Sequence, residues 1–179
     1  MKKRQHWQLW AGGVSGNAMD MIEKAVRNLP LKKGVTFKAS DDERVRNSDI
    51  GWVNDSDIRS LLYNYVWEAN VNAFNVNVIN KADIQYTEYR GGHYDWHIDT
   101  HWGNTSLTDR KLTVTVQLSD PDEYEGGNFE FCEVEMIPDE AKKKGSVLVF
   151  PSYLKHRVTP VTKGIRKSLV AWFEGEHWR

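Results

Sequence analysis

Residues 93–101 read His93-Tyr-Asp-Trp-His97-Ile-Asp99-Thr-His101, and the reading of this run as an extended strand decides how the rest of the chain is taken. Successive side chains on a strand point to opposite faces, so residues separated by one share a face. His97 and Asp99 are such a pair, an imidazole beside a carboxylate, able to hold one metal ion together. The odd-numbered series also offers His93 with Asp95, and at about 3.3 Å per residue its ends lie about 26 Å apart. One adjacent pair at most serves one ion, and the plain alternative for the run is a solvated strand face.

Outward from this run, Gly145-Ser-Val-Leu-Val-Phe-Pro151 is an apolar, β-branched stretch opened by glycine and closed by proline. It reads as a buried strand that stops just before His156. Two strand ends then meet, and His97, Asp99 and His156 make a two-histidine, one-carboxylate set. That donor set suits Fe(II) and leaves coordination positions open for other ligands.

The intervening sequence supports a mostly β fold with supporting helices. Helical periodicity runs from Asn17 to Asn28, with Ala18, Met21, Ile22, Ala25, Val26 and Leu29 recurring before Pro30. A second helix starts with Asp55 or Ser56 as its cap and carries Ile58, Leu61, Leu62, Tyr65, Val66, Ala69 and Ala73 on one stripe. Asp41 to Asn47 is highly charged and reads as a loop. From Asn75 the period shortens to two, through Val76, Val78, Ile84 and Tyr86, with turn signals at Gly91-Gly92, Asp120-Pro121 and Gly126-Gly127. Helices followed by many short strands predict a jelly roll, two β-sheets face to face, with the N-terminal helices packed on one sheet. One domain spans 1–179, a helical N-terminal part over 1–74 and a jelly-roll core over 75–179.

Composition narrows the function classes. The formal net charge is −1, and the basic clusters Lys2-Lys3-Arg4 and Lys142-Lys143-Lys144 are too short for the broad basic face that nucleic acid requires. Cys132 is the single cysteine, so a disulfide-built fold is excluded and a reducing cytoplasm is expected. Its neighbours Phe131 and Val134 place it in a strand within Gly127 to Met136, a poor setting for a nucleophile. No signal peptide or spanning helix is expected.

Arg166 lies ten residues beyond His156, after His156-Arg-Val-Thr-Pro160-Val-Thr-Lys-Gly164-Ile. With this spacing the chain resembles the iron(II)- and 2-oxoglutarate-dependent dioxygenases, in particular their prolyl 4-hydroxylase-like branch. Ser119-Asp-Pro-Asp-Glu-Tyr-Glu-Gly-Gly127 resembles that family's turn between two core strands. Val45-Arg46-Asn47-Ser48 through Trp52, with Ala69-Asn70, is similar to the early region of bacterial and phage members.

The resemblance implies a double-stranded β-helix with His97, Asp99 and His156 as catalytic metal ligands and Arg166 on the distal carboxylate of 2-oxoglutarate. It also places Thr113 beside that carboxylate and Tyr89, with Tyr86 as its alternative, in the same pocket. Tyr94, Trp172 and Arg110 match positions that face substrate, where flat aromatic surfaces suit a pyrrolidine ring in a polyproline-II segment. The implied cofactors are Fe(II), 2-oxoglutarate and O2, with ascorbate as reductant. The implied reaction hydroxylates an unactivated C–H bond of a peptidyl proline and releases succinate and CO2. Alternatives are a hydroxylase of a free amino acid or other small metabolite, and a non-catalytic jelly-roll binding module. No nucleic acid or membrane partner is expected.

Overall fold

Two long strands shape the molecule, because each passes from a broad sheet into a smaller group of strands facing it. The computed structural model describes residues 5–36, 43–103 and 105–178. Along the chain run β1 (Gln8–Trp10), α1 (Asn17–Val26), β2 (Lys32–Lys33), β3 (Arg46–Trp52), α2 (Ser56–Ala69), β4 (Ala82–His97) and β5 (Asp109–Gln117). They are followed by β6 (Tyr124–Gly126), β7 (Phe129–Phe131), β8 (Val147–Pro151), β9 (His156–Val158) and β10 (Val161–Gly175). The broad sheet has the antiparallel order β1-β8-β5-β10-β4-β3-β2. Beyond it, the first residues of β10 pair with β6, and the last residues of β4 pair with β9, which also takes β7. This is the antiparallel jelly roll expected from the sequence.

Period two separates structure from site. One face of the broad sheet presents Ile84 and Tyr86 from β4, Leu112, Val114 and Val116 from β5, Val147 and Val149 from β8, and Leu169, Ala171 and Phe173 from β10. Against them pack Ile58, Leu62 and Val66 of α2 and Met19 and Ile22 of α1. Full burial of such aliphatic side chains contributes roughly 1.5–3 kcal/mol each. The alternate residues of the same strands, among them Gln85, Thr87 and Tyr89, Thr113 and Thr115, and Arg166, Ser168, Val170 and Trp172, line a pocket on the opposite face.

Several local expectations are corrected. Gly91-Gly92 is no chain reversal: β4 runs through it, bent by Gly91 at φ +65. A Cβ on Gly92 would come within 2.0 Å of the Asn47 carbonyl oxygen, so only glycine allows this approach. The register between β3 and β4 shifts there, between Asn47 and Asp49, and this bulge carries β4 toward β9. Residues 75–79 form no strand; the buried Asn70 side chain holds Val76 through both its N–H (2.8 Å) and its carbonyl (2.9 Å). The α-helical stripe stops at Ala69, where a wider turn over Asn70–Phe74 takes over, so Ala73 leaves it. Of the charged stretch 41–47, Asp41 and Asp42 lie outside the described residues, as do Lys2, Lys3 and Arg4. Arg46 and Asn47 already belong to β3. Cys132 falls just past β7, whose three residues are the strand in that region, and is exposed. Residues before 75 also supply β1 and β3 to the broad sheet. Among the described residues no helix is long and apolar enough to cross a membrane.

The cap of α2 gives a direct stability test. The Asp55 side chain accepts from the Asp57 and Ile58 N–H groups at 2.9 and 3.0 Å, satisfying two of the donors that a helix start leaves open. Asp55→Ala is expected to lower unfolding stability by about 1 kcal/mol in urea denaturation and Asp55→Asn by much less. An alanine variant as stable as the parent would show that the cap contributes nothing.

Candidate metal centre

The end of β4 and the start of β9 are paired, with His97 opposite His156, and this pairing brings two imidazoles from distant sequence together. Their rings lie 4.2 Å apart between centroids. Asp99 sits just past the end of β4 rather than on it, fixed by its N–H, which donates to the Ser152 carbonyl at 2.9 Å. Thr100 donates to the same carbonyl at 3.1 Å. One ligand atom from each of His97, Asp99 and His156 lies within 4.8 Å of the others. Asp99 Oδ1 is 3.6 Å from His97 Nε2, and Oδ2 is 3.5 Å from His156 Nε2.

The backbone sets the tautomers. His97 Nδ1 is 2.7 Å from the Asp95 carbonyl oxygen and His156 Nδ1 is 2.8 Å from that of Leu154. A carbonyl only accepts, so both rings carry a proton on Nδ1 and the neutral ring presents its Nε2 lone pair to the centre. Burial, with His156 alongside, drives His97 down to about 3, which keeps it neutral. Burial pushes the Asp99 carboxyl up, but the Thr113 hydroxyl that donates to it is among the groups that pull it down by more, so it lies below the ordinary carboxylate value. Two lone pairs and an anion thus converge in a buried site. Nitrogen and oxygen donors so arranged fit a divalent cation, and the two-imidazole, one-carboxylate set fits Fe(II).

Aromatic rings hold the imidazoles on both sides. Tyr94 stacks on His97 at 3.5 Å and 11°, with the Arg46 guanidinium 4.5 Å over the far face of Tyr94. Phe129 stacks on His156 at 5.1 Å and 17°, and Phe150 meets that ring edge-on at 4.9 Å. Arg46 is buried and donates to Ser48 (2.9 Å), Gln85 (2.7 Å) and the Val35 carbonyl (3.3 Å).

Arg166 opens on the same pocket as the three candidate ligands. Its side chain is buried, with 6% of the residue exposed, yet it has no hydrogen-bond or ion-pair partner among the described residues; its contact is the Tyr89 ring, 5.7 Å away. Tyr89 is its cross-strand neighbour. Burial pushes the Tyr89 hydroxyl up, keeping it a proton donor. Tyr86, its alternative, belongs to the helix-side core and donates to Glu88 at 2.7 Å. Gly127, at φ +59, makes room for the Arg166 stem: a Cβ there would lie 2.9 Å from Arg166 Cδ.

The remaining expected residues divide. Tyr94 and Trp172 line the pocket, and Arg110 lies over the Trp172 ring at 4.1 Å. Thr113 is beside Asp99, to which its hydroxyl donates at 2.8 Å, rather than being reserved for a second carboxylate. The rival pair stays apart from the centre, with His93 Nε2 on the Arg44 carbonyl at 3.0 Å and Asp95 capping the Trp96 N–H at 2.7 Å. Sequence reasoning gave no role to Phe129 or Ser152, whose side-chain types carry no signal, nor to Arg46, which lies within the resembling segment 45–52.

Comparison with known proteins agrees with this geometry. The model of the 2OG-Fe(II) oxygenase superfamily matches residues 84–174. A PKHD-type hydroxylase of Synechococcus sp. (strain CC9311) is 38% identical over 91 residues, which are 51% of this chain and 40% of that protein. One from Prochlorococcus marinus is 36% identical over 88 residues, 48% of this chain and 38% of its own length. The chain therefore spans about two-fifths of these relatives. In fold it is similar to a Pseudomonas putida prolyl-4-hydroxylase (TM-score 0.73, 17% identity, 96% of this chain and 94% of that one). It is also similar to the viral collagen prolyl hydroxylase of Paramecium Bursaria Chlorella virus-1 (TM-score 0.67, 21% identity, 96% and 97%). With its family model matched across β4 to β10 and the two-histidine, one-carboxylate cluster inside that match, the chain belongs to the 2OG-Fe(II) oxygenase superfamily.

Proposed function

We propose that this chain is an Fe(II)- and 2-oxoglutarate-dependent hydroxylase acting on a prolyl residue of a peptide or protein, with ascorbate as reductant and a reducing cytoplasm as its setting. The observation that carries the cosubstrate reading is Arg166, a buried cation with no anionic partner, in one pocket with His97, Asp99 and His156. Burying an arginine without a counter-charge is costly. A dicarboxylic acid relieves that cost with one end while its other end reaches the metal ligands.

In this reading His97 Nε2, His156 Nε2 and one oxygen of Asp99 hold the iron. When bound, iron and 2-oxoglutarate supply the oxidation: O2 is consumed, the cosubstrate loses CO2 to become succinate, and one oxygen atom ends on the substrate carbon. The chain's own residues bind and orient. Arg166 would donate charge-assisted hydrogen bonds to the distal carboxylate. Tyr89 adds a neutral hydroxyl donor. Thr115, two residues beyond Thr113 on the same strand face, lines the pocket with Arg166 and takes the role that Thr113 gives up to Asp99. Tyr94 and Trp172, with Arg110 over the indole, form the wall against which a substrate ring packs.

For the substrate, support comes from the solved relatives, one of which is a prolyl hydroxylase of Trichoplax adhaerens in complex with a peptide fragment (TM-score 0.72, 16% identity), and from the aromatic wall. Incubation with Fe(II), ascorbate, 2-oxoglutarate and proline-rich peptides should add one oxygen to a proline, read by mass spectrometry. Succinate formed without peptide oxidation would instead favour a free amino acid or other small metabolite as substrate.

The cosubstrate assignment makes a second, sharper prediction. Arg166→Ala should raise the 2-oxoglutarate concentration needed for half-maximal succinate formation by about 10- to 150-fold, the worth of charge-assisted hydrogen bonds, with Mn(II) affinity nearly unchanged. Gly127→Ala should shift it in the same direction by crowding the Arg166 stem. Equal loss of metal and cosubstrate binding in the Arg166 variant would reveal a structural role.

A further inference from the structure

Thr113 and Ser152 are both fully buried, 0% exposed, on different elements, and their hydroxyl oxygens are 2.9 Å apart. The Thr113 hydroxyl has one proton, and it goes to Asp99 Oδ2 at 2.8 Å. The Ser152 hydroxyl must then be the donor in the contact between them, giving a directed chain from Ser152 through Thr113 to the carboxylate. Ser152 also accepts, through its carbonyl, the N–H groups of Asp99 and Thr100. It sits four residues before His156, in the turn between β8 and β9. One residue thus ties the segment bearing Asp99 to the segment bearing His156, through backbone and side chain together.

From this we infer that Ser152 and Thr113 are positioning residues of the metal centre, a hydroxyl relay that fixes which way the Asp99 carboxylate turns. The relay occupies a lone pair of Oδ2 and leaves Oδ1, on the His97 side, as the freer oxygen for the cation. A carboxylate without that donor rotates about its last bond, and the three donor atoms lose their common focus. Partners that orient a metal ligand in this way are worth about 10- to 100-fold in metal affinity. The inference rests on Asp99 as a metal ligand, and it gives Thr113 a duty toward the metal instead of toward 2-oxoglutarate.

The test is a titration of the metal-free full chain with Co(II), followed by its visible absorption, on four proteins. Wild type should bind Co(II). Thr113→Val, which keeps the shape and removes the hydroxyl, should weaken binding by about 10- to 100-fold, whereas Thr113→Ser, which keeps the hydroxyl, should stay within about threefold of wild type. Ser152→Ala, which removes the first donor and leaves the carbonyl, should fall between them, and it decides the matter if Thr113→Val does not fold. Valine and serine variants that match wild type, or that lose affinity equally, would overturn the relay. So would a valine variant that binds Co(II) normally but needs far more 2-oxoglutarate. A wild-type chain that takes up no Co(II) would overturn the metal centre itself, and the relay with it.

Discussion

Two imidazole lone pairs and a carboxylate held within 4.8 Å of one another repel when nothing positive lies between them. That constraint organises the rest of the molecule. Each ring must be stopped from turning away, which the Asp95 and Leu154 carbonyls do by engaging Nδ1 and the Tyr94 and Phe129 rings do by stacking. The carboxylate must also be kept ionised in a dry place, and the hydroxyl of Thr113 contributes to that. Held donors of this kind lose little freedom when a cation arrives, which is the usual advantage of a preorganised site.

The fold meets this constraint by running long strands through two layers. β4 carries helix-side core residues at Ile84 and Tyr86, the pocket-side Tyr89, the glycine bulge and then His97, all in one strand. β10 likewise bears Arg166 and Trp172 on the pocket face and Leu169, Ala171 and Phe173 on the helix face. Site and core are therefore alternate residues of the same strands. A register slip of one residue would exchange them, so packing of Leu112, Val114 and Val116 beneath α2 also keeps Thr113 and Thr115 turned toward the pocket.

Much of this was legible in the sequence because it depends on spacing along one strand or helix. The apolar stripes of α1 and α2, a cap for α2 at Asp55 or Ser56, and the buried β8 ending just before His156 all follow local period and punctuation. What depends on contacts across the sheet was not legible. Gly91-Gly92 carries a turn signature, and only the approach of Asn47 from β3 makes it a bulge inside a strand. Arg46 looks like part of a charged loop until Gln85 and Ser48 are seen to satisfy it. Tyr86 and Tyr89 are equivalent as letters, and the odd separation between them puts them on opposite faces. Thr113 lines the pocket, but the direction of its one hydroxyl proton depends on where Asp99 and Ser152 stand.

Arg166 and the converging donors share an energetic logic. A buried guanidinium without an anion and a cluster of lone pairs without a cation both cost stability in the unliganded chain. In the proposed reading, ligands of opposite sign would relieve both costs, and the same arrangement would contribute binding free energy for an ion and a carboxylate. Ligands that bind only the folded state raise its stability in proportion to the logarithm of their concentration. Proteins commonly accept weaker folding at the residues that bind and react. Here the strained groups lie on the pocket face of the sheet, while the aliphatic side chains that hold the sheet together lie on its other face. Alternation along the strand keeps the two apart, so Arg166 and the converging donors share one face of the sheet while the core on its other face is closely packed.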